Sequence, residues 1–306
     1  MRERIVFVDC NDQLQPVFDA LSRPDDPPIR VDRAAFTSAD LPQLLEGCEI
    51  AIVDHSYMPT DIVARCEKLR EIVFLGTGPQ SYMNVEALNR IGVGVHAIKG
   101  YGDTAVAEHA IALMFACARD VARMDREIRA GSWRPREGVQ LTGKRLGIIG
   151  LGGIGTEVAR IARGIGMEVL GWNRTPRPEV AAPMAIEALL ADADVVSIHL
   201  ALNDETRGFL DAGRLALAKR GAMLVNTARG ALIDETALIE ALNQGQIARA
   251  GLDVFALEPL RADHPLAGHE SVTLSAHSGF RTWEASATLL GRALDIVRRL
   301  AKERAP

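Results

Sequence analysis

Arg145-Leu146-Gly147-Ile148-Ile149-Gly150-Leu151-Gly152-Gly153-Ile154-Gly155-Thr156 reads as a strand, a glycine-rich turn and the start of a helix. The apolar run Arg145–Ile149 has strand length, and Ile154–Ile165 carries helical periodicity. Gly150 permits the tight turn, Gly152 lets the backbone approach a pyrophosphate, and Gly155 allows the helix to pack close on the strand. Gly153 and Ile154 open that helix, whose N-terminus attracts phosphate. A structural glycine turn would show the same letters. The strand before it and the helix after it make the stretch a dinucleotide-binding fingerprint.

Outward from this point the pattern alternates. Further strands are expected at Glu168–Trp172, Val195–Leu200, Ala222–Asn226, Ala250–Phe255 and Val272–Ser275. Helices are expected at Glu235–Asn243, capped by Asp234 and closed near Gly245, and at Thr282–Glu303. The first part alternates as well, with strands at Ile5–Asp9, Ile29–Val31, Ile50–Asp54, Ile72–Leu75 and Val93–Ala97. Helical stretches Asn11–Leu21, Pro59–Cys66 and Asn84–Arg90 lie between them. Such alternation predicts α/β architecture, with parallel sheets covered by helices on both faces. Between the two series runs an Ala-rich segment, Thr104–Arg129, with Asp103 as N-cap and Gly131 as its end. It is apolar on most faces, which predicts burial between domains or subunits.

The bulk numbers narrow the function. A chain of 306 residues has room for two domains, and 48% hydrophobic with 25% charged residues reads as globular. The net charge of -5 points to no nucleic-acid partner. Cys10, Cys48, Cys66 and Cys117 form no C-x-x-C pair, which suits a reducing cytoplasm without disulfides. Met1–Val8 runs directly into a strand, so no leader is expected, and no apolar run spans a bilayer.

Three polar residues follow expected strand ends, where ligands gather in such sheets. Arg229 lies in Asn226-Thr227-Ala228-Arg229-Gly230, Glu258 in Leu252-Asp253-Val254-Phe255-Ala256-Leu257-Glu258-Pro259, and His277 in Ser275-Ala276-His277-Ser278-Gly279. A guanidinium can hold a carboxylate and polarise the carbonyl beside it. Histidine is the natural proton donor near neutral pH, and a glutamate on its other nitrogen fixes its orientation. Each alone has an ordinary explanation as a surface or capping residue. Together with the glycine fingerprint they predict transfer of a hydride and a proton to a small anionic carbonyl compound.

About 20 residues past the glycines, NAD-selective folds carry an acid for the ribose 2′-hydroxyl. This chain has Trp172-Asn173-Arg174-Thr175 there. Asn173 removes the repulsion a carboxylate would exert on a 2′-phosphate, and Arg174 offers donors that match one, with Thr175 and Arg177 assisting. A solvated loop arginine is the alternative. The site logic favours NADP(H), with NAD(H) also possible. His199 ends a strand at the cofactor edge, where its backbone matters more than its ring. His55, His96, His109, His264 and His269 show no ligand spacing and are expected to be structural or solvated, so no metal is predicted.

These segments resemble the D-isomer-specific 2-hydroxyacid dehydrogenase family, which includes glyoxylate/hydroxypyruvate reductases, phosphoglycerate dehydrogenases and D-lactate dehydrogenases. The resemblance runs from about Phe74 to His277 and rests on the glycine run, Glu205-Thr206-Arg207-Gly208, Asn226–Gly230, Gly251–Phe255 and the histidine segment. It implies a Rossmann-type cofactor domain, residues 99–282, inserted into a flavodoxin-like substrate domain of residues 1–98 and 283–306, with the active site in the cleft. It implies that Arg229 binds substrate, that His277 is the acid/base with Glu258 as partner, and that Asp253 holds the nicotinamide carboxamide. Val106, Thr206 and Thr227 join the cofactor contacts, and the backbone of Gly76-Thr77-Gly78 meets the substrate carboxylate. It also implies a homodimer built on the cofactor domain.

Departures from the family pattern are Gly153 where Arg is common, Ala201 where Pro is usual, and Ser275–Phe280 for the common Thr-Pro-His-Ile-(Ala/Gly)-Gly. Ser278, Phe280 and Trp283 are expected to reshape the pocket. No regulatory domain is expected beyond residue 306. The resulting expectation is NAD(P)H-dependent reduction of a small 2-oxoacid to the D-2-hydroxyacid. The alternatives are NAD-dependent oxidation of a phosphoglycerate-like hydroxyacid and a non-catalytic dinucleotide sensor.

Overall fold

The computed structural model describes residues 4–303. The chain divides into two compact units, one running to Gly102 and resuming at Arg281, the other Asp103–Phe280. The junctions therefore fall at Gly102 and Arg281, where the family resemblance implied 98 and 283.

In the first unit five parallel strands stand in the order β2-β1-β3-β4-β5. They are β1 (Ile5–Phe7), β2 (Ile29–Val31), β3 (Ile50–Val53), β4 (Glu71–Phe74) and β5 (Gly94–Ala97). This is the flavodoxin order, in which a right-handed crossover returns the chain to the other side of β1. The helices α1 (Leu14–Leu21), α2 (Leu41–Leu44), α3 (Thr60–Val63) and α4 (Val85–Arg90) connect the strands. Both sheet faces are apolar because alternate residues point opposite ways. Ile50 and Ile52 enter one core with Val17 and Phe18 of α1, while Ala51 and Val53 enter the other with Leu41, Val63 and Leu88.

The second unit holds β6 (Arg145–Ile149), β7 (Glu168–Trp172), β8 (Val195–Ile198), β9 (Ala222–Asn226), β10 (Ile247–Leu252) and β11 (Val272–Leu274). All are parallel, in the order β11-β10-β9-β8-β6-β7. A single parallel bridge between Gly171 and Pro183 extends the sheet beyond β7. With that rudiment counted as the third strand, the order becomes the Rossmann order, whose reversal lies between β6 and β8. One face is covered by α5 (Asp103–Ala118) and α7 (Gly153–Gly164). The other is covered by α8 (Ile186–Asp192), α9 (Ala212–Leu217) and α10 (Glu235–Asn243). The helices α6 (Val121–Arg129) and α11 (Pro265–Gly268) complete this unit, and α12 (Trp283–Glu303) belongs to the first.

Three expectations need correction. The Ala-rich stretch is not one helix. It breaks into α5 and α6 at Asp120, which has φ of 51° and receives a bidentate ion pair from Arg249 of β10 at 3.2 and 3.1 Å. Asp103 is the first residue of α5 rather than the cap before it. Strand β10 also starts and ends earlier than Ala250–Phe255, because the chain leaves the ladder at Asp253 to build the site described below. Among the described residues, no helix is long and apolar enough to cross a membrane.

The C-terminal helix is bound to the first unit by apolar packing and by one nearly buried ion pair. Leu289, Leu290, Ala293, Leu294 and Val297 of α12 join the core that holds Leu14, Val17 and Phe18. Arg298 reaches Asp26 with Nε at 2.6 Å and Nη2 at 2.9 Å. Removing one partner strands the other charge in a poorly hydrated place. Arg298→Ala should therefore cost about 2–3 kcal/mol. In hydrogen exchange it should speed the amides of α1 and α12 while leaving those of β6–β9 unchanged.

Candidate active site

The glycine turn after β6 leaves no room for side chains at two of its positions. Gly150 has φ of 98°, and a Cβ there would lie 2.6 Å from the carbonyl oxygen of His199. A Cβ on Gly155 would overlap the carbonyl oxygen of Gly150, so α7 approaches the strand end more closely than a side chain permits. Among the described residues beyond its own turn, nothing lies within 4 Å of where a Cβ of Gly152 would sit. A Cβ on Gly153 would overlap the Asp103 carboxylate, so no arginine of the common family kind could stand there without displacing Asp103.

Two buried polar atoms near this turn have no partner among the described residues, Nδ1 of His199 and Oγ1 of Thr227. They follow adjoining strands β8 and β9. Burial pushes the His199 imidazole down to about 4, so it is neutral, with Nε2 2.8 Å from Ser197 Oγ. Unpaired buried polar groups are rare and call for a ligand or water. Together with the open space at Gly152 and the helix start without a side-chain cap, they fit a dinucleotide.

At the end of β7, Asn173 serves the protein itself. Its Oδ1 accepts from the Leu151 amide at 3.0 Å and its Nδ2 donates to Thr175 O at 2.7 Å. Arg174 pairs with Glu205 at 3.0 Å in full solvent, with exposures of 81% and 75%. Such a pair is worth less than about 1 kcal/mol and is easily exchanged for another anion. Thr206 closes its own turn, donating to Ala201 O at 2.7 Å and accepting from the Asn203 amide. Ile154 packs on the core beneath α7.

Arg229, Glu258 and His277 come together beyond the ends of β9, β10 and β11. His277 Nδ1 lies 2.7 Å from Glu258 Oε2, and the Phe255 amide donates to Glu258 Oε1 at 3.0 Å. Burial works against ionisation of Glu258. The hydrogen bonds from His277 and Phe255, with the charges of His277 and Arg229, outweigh it and lower its pKa. Arg229 is braced by the fully buried Asn226, whose Nδ2 donates to Arg229 O at 2.9 Å while Oδ1 accepts from the Ala228 amide. A Cβ on Gly230 would overlap the Phe255 backbone, so the arginine turn and the glutamate turn are in direct contact. Thus the sequence segments carrying Arg229, Glu258 and His277 meet at one place.

Asp253 has a role the sequence reading lacked. It is 1% exposed, and its carboxylate accepts from Ser275 Oγ at 2.6 Å, the Ser278 amide at 2.9 Å and the Gly279 amide at 2.9 Å. His109 Nε2 stands 3.3 Å away. These donors bracket His277, which has φ of 48°. His109, expected to be structural or solvated, is structural here, although the sequence did not indicate its partners. Its Nε2 lies 2.9 Å from Ser275 Oγ, and no motif marks it. Val106, one turn earlier on α5, has Cγ1 3.7 Å from where a Cβ of Gly279 would sit. In the first unit, Gly76-Thr77-Gly78 follows β4, and the Thr77 and Gly78 amides make no hydrogen bond among the described residues. No group of three His, Cys, Asp or Glu among the described residues could hold a metal ion.

Residues 111–279 match the sequence profile of the D-isomer specific 2-hydroxyacid dehydrogenase NAD binding domain. The chain belongs to the D-isomer specific 2-hydroxyacid dehydrogenase family. It is 39% identical to the glyoxylate reductase of Aeropyrum pernix over 238 residues, 73% of this chain and 71% of the relative. It is 36% identical to the D-3-phosphoglycerate dehydrogenase of Methanocaldococcus jannaschii over 82% of this chain but only 49% of that protein. The crystal structure of the TT0316 protein from Thermus thermophilus superposes with a TM-score of 0.86 at 32% identity, covering 99% and 97% of the two chains. As a D-2-hydroxyacid dehydrogenase, the protein is an oxidoreductase that uses a nicotinamide dinucleotide on small 2-hydroxyacid or 2-oxoacid compounds.

The Asp253 collar carries a pH signature. Burial opposes ionisation, but the hydrogen bonds from His109, Ser275, Ser278 and Gly279 lower the Asp253 pKa from 3.8 to about 2. A depressed carboxylate adds stability above its unfolded value and loses it as pH falls through its folded value. About 2 kcal/mol should therefore vanish between about pH 4 and pH 2. Urea unfolding across that window should show this slope in the native protein and a flatter one in Asp253→Asn.

Proposed function

We propose that the protein reduces a small 2-oxoacid of the glyoxylate or hydroxypyruvate kind to the D-2-hydroxyacid, with NADPH favoured over NADH. The observation that carries this reading is the 2.7 Å contact between His277 Nδ1 and Glu258 Oε2, with Arg229 close enough to lower the Glu258 pKa. Glu258 accepts from Nδ1–H and so leaves Nε2 as the nitrogen that holds and delivers the proton. Arg229 binds the substrate carboxylate through its guanidinium fork and stabilises negative charge growing on the carbonyl oxygen. The dinucleotide supplies the hydride when bound, held by the Gly150–Gly155 turn with Val106, His199, Thr206 and Thr227.

The NADP preference rests on Asn173 and Arg174. No acid stands at the end of β7, and among the described residues Arg174 is tied only by an exposed pair with Glu205 that a 2′-phosphate can displace. We also propose a homodimer through the cofactor unit, since Phe115, Val121, Ile128 and Trp133 leave apolar surface exposed on and after α5 and α6. Four buried free cysteines fit a cytoplasmic setting. Oxidation of a phosphoglycerate-like hydroxyacid is the second reading, favoured by the 36% identity to a phosphoglycerate dehydrogenase.

The test is oxidation of NADPH and NADH against glyoxylate, hydroxypyruvate, pyruvate and a branched 2-oxoacid, with 3-phosphoglycerate run in the opposite direction. His277→Ala and Arg229→Ala should each lower turnover by about 10²- to 10⁴-fold while dinucleotide binding survives. Arg174→Ala should weaken NADPH binding by about tenfold and leave NADH unchanged. Unchanged turnover in His277→Ala, or faster work with NADH than NADPH, would sink the corresponding part. Partner binding with no turnover on any of these acids would favour a sensor instead.

A further inference from the structure

His277 sits in a backbone conformation that a histidine seldom adopts. Its φ of 48° is left-handed, where the Cβ of an L-residue crowds the following carbonyl oxygen. Such a conformation persists only where its surroundings hold it. The His277 amide donates to Asp253 O at 2.8 Å. The Asp253 side chain grips the chain two residues before the histidine, at Ser275, and one and two residues after it, at Ser278 and Gly279. Ser278 Oγ adds a bond to Ala276 O at 3.1 Å, closing the turn locally.

The proton count in this group fixes the part played by His109. An ionised carboxylate only accepts, so the short 2.6 Å contact requires Ser275 Oγ–H to donate to Asp253 Oδ1. A hydroxyl has one proton, and that proton is spent. The 2.9 Å contact between Ser275 Oγ and His109 Nε2 can then be made only by Nε2–H donating to Oγ. The same proton faces Asp253 Oδ1 at 3.3 Å. His109 is therefore a donor at Nε2, and it feeds both Ser275 and Asp253.

His109 is itself rigidly placed. It lies on α5, whose Leu113 and Cys117 press on β10 at Gly251, where a Cβ would stand 3.1 Å from Cys117 Sγ and Leu113 Cβ. Gly279 is fitted beneath the same helix, with space for a Cβ only 3.1 Å from Asp253 Oδ2 and 3.7 Å from His109 Cδ2. The chain from helix to reacting loop is thus His109, Ser275, Asp253, then the amides on either side of His277.

We propose that His109 is a positioning residue of the reaction: its Nε2–H, acting through Ser275 and Asp253, locks the left-handed turn that aims the His277 imidazole. This rests on His277 being the acid–base residue, as argued above. One histidine moves the proton and a second, 166 residues from the serine it bonds, holds the first in place.

The test compares His109→Gln, which keeps an N–H donor near the Nε2 position, with His109→Phe, which keeps a ring and loses the donor. His109→Phe should lower kcat by about 10- to 100-fold, the cost of a misplaced reacting group, with the 2-oxoacid KM changed less than about threefold. His109→Gln should recover most of the lost turnover. The pH–kcat profile of His109→Gln should keep its shape, because His109 carries no reacting proton. In 1H–15N spectra of the ring nitrogens, the His277 Nδ1–H signal should broaden in His109→Phe and stay sharp in His109→Gln. Should His109→Phe not fold, Ser275→Ala removes the relay with a smaller change and should lower kcat by about tenfold.

Wild-type kcat in both His109→Phe and Ser275→Ala, or equal loss in His109→Phe and His109→Gln, would overturn the proposal. Disappearance of the pH limb in His109→Gln would overturn it too, since His109 would then be the proton carrier. His277→Ala run in parallel separates the two readings. If that variant is inactive while His109→Phe is not impaired, only the positioning role falls. If His277→Ala turns over normally, the acid–base reading falls first.

Discussion

A parallel sheet delivers the carboxyl ends of all its strands to one edge, and everything the second unit does chemically depends on that constraint. Asn226 ends β9, Leu252 ends β10 and Leu274 ends β11. The residues that leave these ends have no further ladder partner, so they must find hydrogen bonds with one another. They do so in a consistent way. The Asp253 amide donates to Asn226 O and the Ser275 amide to Leu252 O, each continuing the ladder by one step. The side chain of Asn226 then closes its own exit loop on Ala228 and Arg229, and that of Asp253 holds the loop that follows β11.

The same edge explains why three distant segments can form one group. The turns that carry Arg229 and Glu258 touch through their backbones, since Gly230 leaves no gap to Phe255 and Ala256. Glu258 and His277 touch through their side chains. Only the second contact needs particular residue types. The first needs only the absence of a Cβ. A single methyl group at position 230 would push apart two turns that no polar substitution would disturb as much.

Much of this was legible in the sequence because local chemistry marks it. Strands β6, β7 and β9 begin and end where apolar runs meet glycine or polar turns, and Asp234 caps α10 through the Thr236 and Ala237 amides as its type suggests. The glycine turn, Arg229, Glu258 and His277 stand out as motifs for the same reason. What escaped is long-range. The break at Asp120 carries no glycine or proline and is stabilised by Arg249 from another strand. His109 is a lone histidine on an Ala-rich helix, and nothing near it in sequence predicts a bond to Ser275. Asn173 looked like a ligand contact by position, yet its side chain is engaged in holding the Leu151 turn.

The distribution of burial also separates two kinds of charge in the site. Asp253 is 1% exposed, whereas the side chains of His277 and Glu258 are 38% and 35% exposed. Water screens the attraction within the exposed pair, so its chief contribution is orientation rather than energy. At Asp253 the opposite holds. A desolvated carboxylate with several donors makes strong bonds, each worth about 1.5–3 kcal/mol, and those bonds exceed the cost of one left-handed residue. The His277 side chain is half-exposed, so it cannot be fixed by burial. The rigidity it needs is supplied one layer below, by a charge that never leaves the interior.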